Sequence, residues 1–155
     1  MIDINEFRIG SKKVSHSLVN DWTWEKINKT VEEITKIEPK HYRDLGNGGY
    51  TLGGIYRDPY CYEILKYLKT KKPEYHPRAG LYVSTQSDSK TFSKHADPGQ
   101  YLWIWQLIGE TKWVVENREF ILKPNEVLYI SEGLMHEALP DSPRASITLS
   151  LEKDE

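Results

Sequence analysis

FSKHADPGQYLWIWQLIGETKW, residues 92–113, decides how the rest of the chain is read. It opens polar, passes His95 and Asp97 with a single residue between them, and then runs apolar from Tyr101 to Ile108, interrupted only by Gln106. A strand with no polar alternation is one covered on both faces, so 101–108 is predicted to be a central strand. Two ionisable residues at its mouth are either a solvated loop entering a core strand or half of a metal site. The surrounding sequence has to choose between these.

Downstream and upstream of this stretch the grammar is that of short β units. Candidate strands are GLYVST (80–85), KWVVE (112–116), REFIL (118–122), EVLYI (126–130) and ASITLSL (145–151). Turn-prone residues separate them: Asp97-Pro98-Gly99, Asn117, Lys123-Pro124-Asn125, Glu132-Gly133 and the segment from Pro140 to Pro143. Short strands at near-regular spacing predict an antiparallel sandwich or barrel, here a mainly β (α+β) fold.

The first half reads differently. FRIG (7–10) is a short strand candidate. WEKINKTVEEITKI (24–37) places Ile27, Val31 and Ile34 on one helical face. Asp58-Pro59 is a cap followed by proline at the first helical position, opening a second helix that Lys71-Lys72-Pro73 ends. Between them, GNGGYTLGG (46–54) lacks the GK[ST] of a phosphate cradle and is read as a mobile turn. The helices are expected to pack outside the barrel, with residues 1–78 supporting a barrel core at 79–151 in one domain spanning 1–155.

Composition narrows the function classes. The chain has 155 residues, 38% hydrophobic and 28% charged, with a formal net charge of −2. That balance gives no global field for nucleic acid or an anionic membrane. No apolar run approaches the roughly 18 residues of a membrane span, and the N-terminus has no signal-peptide core. Cys61 is the only cysteine, so intrachain disulfides and thiolate zinc sites are excluded and a reducing cytoplasm is expected. Ten Tyr and five Trp suit a β-rich core or the lining of a cleft.

His95 and Asp97 sit at i and i+2, so in an extended backbone both project to the same side. His136 follows the strand candidate EVLYI and a glycine turn, and it supplies a third ligand from a distant strand end. Two imidazoles and one carboxylate on one face of a metal leave positions open, the arrangement used by non-haem Fe(II) oxygenases, and the absence of thiolate disfavours structural zinc. His16, His41 and His76 lack a carboxylate at strand spacing, and surface roles are expected for them.

TFSKHADPGQYLWIWQLIGETKW and LKPNEVLYISEGLMHEALP together resemble the two metal-binding segments of the JmjC-type and cupin-like 2-oxoglutarate- and Fe(II)-dependent oxygenases. The resemblance covers roughly residues 80–151. It implies a double-stranded β-helix, or jelly-roll barrel, with His95, Asp97 and His136 as iron ligands. It also implies that 2-oxoglutarate and O2 are consumed while an unidentified substrate is oxidised. Ser131 stands where the family's turn has proline, and Tyr101-Leu102 occupy the region where simple cupins carry a glutamate.

A dianionic cosubstrate needs a cation. Lys112 matches the family's lysine after the glycine turn, and Arg144 with Ser146 resembles the Arg-x-Ser element that follows the distal histidine. Family placement also gives Thr111 a contact. Parity puts Lys112 with Val114 and Glu116 on the more solvent-like face, and Arg144 with Ser146, Thr148 and Ser150 on one polar face. A guanidinium can also grip a carboxylate with two parallel hydrogen bonds. Arg144 is therefore preferred, with Lys112 kept as the competitor. The rival function is a non-catalytic cupin-like module that binds a metal or a small molecule.

Overall fold

The computed structural model describes residues 12–14 and 18–153; the FRIG strand candidate and His16 lie outside them. Among the described residues, ten strands and two α-helices follow in the order β1 (Lys12–Val14), α1 (Trp24–Ile37), β2 (Tyr42–Gly46), β3 (Gly49–Leu52), α2 (Pro59–Lys71), β4 (Tyr75–Ser84), β5 (Gln100–Ile108), β6 (Thr111–Val115), β7 (Arg118–Leu122), β8 (Glu126–Ile130), β9 (His136–Leu139) and β10 (Arg144–Lys153). A seven-stranded antiparallel sheet, ordered β1-β8-β5-β10-β4-β3-β2, faces a three-stranded sheet ordered β7-β6-β9. This is the expected double-stranded β-helix, a jelly roll with helices outside it.

The long apolar stretch explains the layering. Along β5, Trp103, Trp105 and Leu107 join a core shared with Ile27 and Ile34 of α1 and Cys61, Ile64 and Leu68 of α2. The alternate residues Leu102 and Ile104 join a second core between the sheets, with Trp113, Val115, Leu122, Leu128, Ile130 and Ala138. One face of β5 thus meets the helices and the other the barrel lumen, which is why its sequence carries no polar alternation.

Both helices begin where their caps predict. Thr23 Oγ1 accepts from the Lys26 amide at 3.1 Å, and Asp58 Oδ2 accepts from the Cys61 amide at 3.0 Å. The glycine-rich segment, read as a mobile turn, is instead the tip of a hairpin that extends the large sheet. Asn47 (φ 52) and Gly48 (φ 78) both take the left-handed conformation that a two-residue hairpin requires. The chain before residue 79 therefore contributes β1–β3 and the start of β4 as well as both helices. Pro77 lies within β4 where β3 does not reach, so its missing amide costs no ladder bond on that side.

Candidate metal centre

The small sheet would have a fourth strand at residues 92–97, but only one bridge of it forms. The His95 amide donates to the His136 carbonyl at 3.1 Å, and the His136 amide donates to the His95 carbonyl at 2.8 Å. A mutually bonded antiparallel pair sets two side chains opposite each other on one face. The imidazole centroids are accordingly 4.5 Å apart. Asp97, two residues on, projects to the same side, and Gly99 (φ 74) turns the chain from it into β5.

Each histidine is pinned through Nδ1, His95 to the Ser93 carbonyl at 2.7 Å and His136 to the Leu134 carbonyl at 2.9 Å. A proton on Nδ1 leaves Nε2 as the ligating atom, the usual way that outer partners fix a metal-binding imidazole. Asp97 Oδ2 lies 3.5 Å from His95 Nε2 and 3.2 Å from His136 Nε2. One ligand atom from each residue falls within 4.8 Å of the others. Ligands about 2.1 Å from a metal, at angles between 90° and tetrahedral, stand roughly 3.0–3.4 Å apart. The donor set and spacing therefore fit one divalent cation.

The charges suit this arrangement. The contact with His136 holds the Asp97 carboxyl below its ordinary range, against the upward pull of partial burial, with His95 assisting. For His136, burial favours the neutral ring, but Asp97 and the Leu134 carbonyl outweigh it, so its pKa stands above the ordinary value. Both shifts favour the ionic form of the pair, and a cation would compete with the imidazole proton.

The triad opens onto a cavity of about 470 Å³ between the sheets. Leu102, Ile104, Trp113 and Ala138 form its apolar wall, while β4 and β10 form a polar one. Arg144 lies in that wall, only 3% exposed. Its Nε donates to Ser84 Oγ at 3.1 Å and its Nη1 to Ser146 Oγ at 3.0 Å. Among the described residues no carboxylate pairs with it, and burial pushes its pKa down to about 10. Tyr82 lines the cavity between the charges: burial first, then Asp97, raises its phenol pKa, while Arg144 opposes them.

The other candidates fall elsewhere. Lys112 points away from the cavity, with Nζ 3.1 Å from Glu119 Oε1. Thr111 is buried and receives a hydrogen bond from Gln106 Nε2 at 3.2 Å, outside the cavity lining. Ser146 acts on the cavity only through Arg144. His41 Nε2 faces the Glu38 carboxylate, and His76 lies on β4. Ser84, Arg78 and Glu152 were not singled out in the sequence. Their signal is parity, since Arg78, Gly80, Tyr82 and Ser84 alternate along β4 opposite the polar face of β10, but it needs the β4–β10 register to be seen.

Among the described residues no helix is long and apolar enough to cross a membrane. No protein-family profile matches the chain, and no curated protein matches its sequence. Its fold does match solved structures. The Escherichia coli ribosomal oxygenase YcfD, solved with cobalt and 2-oxoglutarate, superposes with a TM-score of 0.68 at 11% identity, over 90% of this chain and 46% of that one. KdgF from Halomonas sp. superposes with a TM-score of 0.54 at 13% identity, over 76% of this chain and 93% of that one. An RmlC-like cupin from Shewanella frigidimarina gives 0.51 at 12% identity, over 74% and 85%. The chain thus spans just under half the length of YcfD. What these proteins share with it is the jelly-roll fold of the cupins and JmjC oxygenases.

Proposed function

We propose that the chain is an Fe(II)- and 2-oxoglutarate-dependent oxygenase acting on a substrate yet to be identified. The observation that carries this reading is the pairing, in one cavity, of a convergent His95–Asp97–His136 set with a buried Arg144 that has no counter-ion among the described residues. A lone buried cation is costly unless a ligand completes it, and a small dicarboxylate would supply the missing charge. YcfD, of the same fold, was solved with cobalt and 2-oxoglutarate. That agrees with the reading.

His95, Asp97 and His136 would hold the iron and leave positions free for cosubstrate and O2. Iron with its cosubstrate supplies the oxidation, in which 2-oxoglutarate becomes succinate and CO2 while a substrate C–H bond is oxidised. The chain's own residues bind and orient. Arg144 takes the distal carboxylate, Ser84 and Ser146 hold its fork in place, and Tyr82 offers a hydroxyl beside it. The apolar wall excludes water. Lys112, committed to Glu119, is left without a part in this. We further propose that residues 1–155 work as one domain, and that the buried Cys61 thiol belongs in a reducing cytoplasm.

Anaerobic titration of the Fe(II)-loaded protein with 2-oxoglutarate tests the reading. A metal-to-ligand charge-transfer band is expected, followed by succinate formation in air. Iron binding without any such band leaves a cupin-like binding module in its place.

A further inference from the structure

The metal cavity has a side entrance, and the two cations that stand in it have no acidic partner among the described residues. β3 and β2 extend the large sheet past β4, and an open groove of about 560 Å³ beside them runs into the cavity. Leu45, Lys90, Thr91, Phe92 and Ala138 line both spaces. Register places Arg43 on the lumen side of this extension. It pairs with Thr51, which pairs with the cavity residue Tyr82, so the three side chains share a face. A register shift after Asp44 brings Gly46, opposite Gly49, onto that same face although it lies three residues from Arg43.

Both cations are held rather than free to swing. Arg43 Cζ lies 5.1 Å from the Phe92 ring centroid, a stacking that positions the guanidinium and leaves its N–H groups available to an acceptor. Lys90 belongs to a loop tied to the β2–β3 hairpin. Its amide donates to the Gly46 carbonyl at 3.1 Å, and Ser89 Oγ donates to the Asn47 carbonyl at 2.8 Å. The Lys90 stem crosses Gly46, where a Cβ would stand 3.0 Å from Lys90 Cδ. Asp88 is the only acidic residue among those described along the groove, and it does not line the cavity.

Two like charges fixed at one entrance repel each other until an anion joins them. A guanidinium fork takes two oxygens in parallel, and an ammonium takes a further one as a point charge. A phosphate monoester offers three such oxygens, whereas the fork alone uses up both oxygens of a carboxylate. The Phe92 centroid also lies 6.1 Å from that of His95, so a single ring separates Arg43 from a metal ligand. One small molecule reaches from the entrance to the metal.

We infer that this entrance holds the phosphate of a small phosphomonoester, Arg43 and Lys90 taking its oxygens while the carbon part passes Phe92 toward the metal. That this molecule is the oxidised substrate rests on the oxygenase reading; its binding does not. In the overall step two electrons leave a substrate C–H bond and two leave 2-oxoglutarate as it loses CO2. Together they reduce O2, one oxygen atom entering the substrate as a hydroxyl group and the other succinate, and the phosphate ester stays intact.

Phenyl phosphate is titrated into the Mn(II) form with 2-oxoglutarate present and followed by phosphorus NMR. Saturable binding is expected, with the phosphorus relaxed by the metal yet too distant to be bonded to it. Benzoate and diphenyl phosphate should compete at least about 10-fold more weakly. Arg43→Gln and Lys90→Gln should each weaken phenyl phosphate roughly 10-fold, the low end for one charge-assisted hydrogen bond. Lys123→Gln, which removes an exposed lysine lining neither space, should leave it unchanged. Absence of saturable binding, equal competition by benzoate or the diester, phosphorus bonded to the metal, or binding that survives both substitutions overturns the inference. The Fe(II) form is then assayed for succinate with glycerol phosphate, ribose phosphate and phenyl phosphate beside their unphosphorylated parents. At least one phosphomonoester should raise succinate where its parent does not. If none does while the charge-transfer band with 2-oxoglutarate is present, the phosphate site stands and its substrate role is overturned. Phosphate binding without that band keeps the site and removes the oxygenase reading.

Discussion

Arg144→Met separates the cost of keeping a cation inside the barrel from the benefit of what that cation binds. Arg144 is 3% exposed, its guanidinium is held by two serine hydroxyls, and it meets no carboxylate among the described residues. Burial brings its pKa from the ordinary arginine value to about 10. A displacement of that size corresponds to about 3 kcal/mol against the charged folded state. The penalty is fully present at neutral pH. It is relieved only as pH rises above the folded value, where the unfolded chain binds more protons than the folded one. Methionine removes this penalty together with two charge-assisted hydrogen bonds, worth about 1.5 kcal/mol each at the low end of their range.

The two effects nearly cancel. The metal-free variant is expected to unfold within about 1 kcal/mol of the wild type, a Tm change of at most about 4 °C at this size. Affinity for 2-oxoglutarate should respond quite differently. Removing one partner of a buried charge pair costs about 2–5 kcal/mol, or roughly 30- to 5,000-fold. Denaturant unfolding of the metal-free protein and anaerobic titration of the Fe(II) form measure the two quantities separately. A destabilisation beyond about 3 kcal/mol, or an affinity within about threefold of wild type, would refute the reasoning.

His136→Ala removes a ligand that is almost fully buried, and Co(II) or Mn(II) affinity measured by calorimetry should fall at least about 10- to 100-fold, the scale seen for weaker second-layer changes; unchanged affinity would take His136 out of the site. Metal affinity should also drop as pH falls through the raised His136 pKa, because the proton competes for Nε2. Metal-free stability runs the other way. The His136 contribution is complete below its unfolded pKa and lost as pH rises through its folded one, while the Asp97 contribution is complete above its unfolded pKa and lost as pH falls through its depressed value. Unfolding measured across pH should therefore show the pair contributing most under weakly acidic conditions. Lys112→Ala breaks only an exposed ion pair, so 2-oxoglutarate titration should match wild type and stability should change by less than about 1 kcal/mol. Gly109→Ala places a Cβ at φ 70 against the Pro143 carbonyl and 3.2 Å from Arg144 Cα, so it should cost at least about 1 kcal/mol and weaken 2-oxoglutarate binding together.

What the sequence reveals follows the range of the forces involved. α1, α2, β7 and β8 are legible because capping, proline placement and short-range alternation are local. The placement of β5 between two cores is legible because its composition records both environments. The convergence of His95, Asp97 and His136 could be anticipated from parity at the strand mouth, although their pairing spans the chain from one loop to another. The β2–β3 hairpin was missed because the glycines around Asn47-Gly48 obscured a turn signal that is itself local. The choice between Arg144 and Lys112 turned on which strand face meets the lumen, and Ser84, Arg78 and Glu152 depend on long-range register. No local pattern encodes that.

The reduction of the small sheet's fourth strand to one bridge makes the bond between His95 and His136 a shared clasp. It closes a chain segment of roughly forty residues, and closing such a loop by a cross-link lowers the unfolded chain's entropy by an amount equivalent to about 4 kcal/mol. An ion gripping the same two residues would close the same segment, so the ordering it requires is already present in the folded chain. During folding the order could reverse. An ion captured early by the two imidazoles would bring the strand ends together before the rest of the barrel wraps around them, and the cation would then act as a topological fastener.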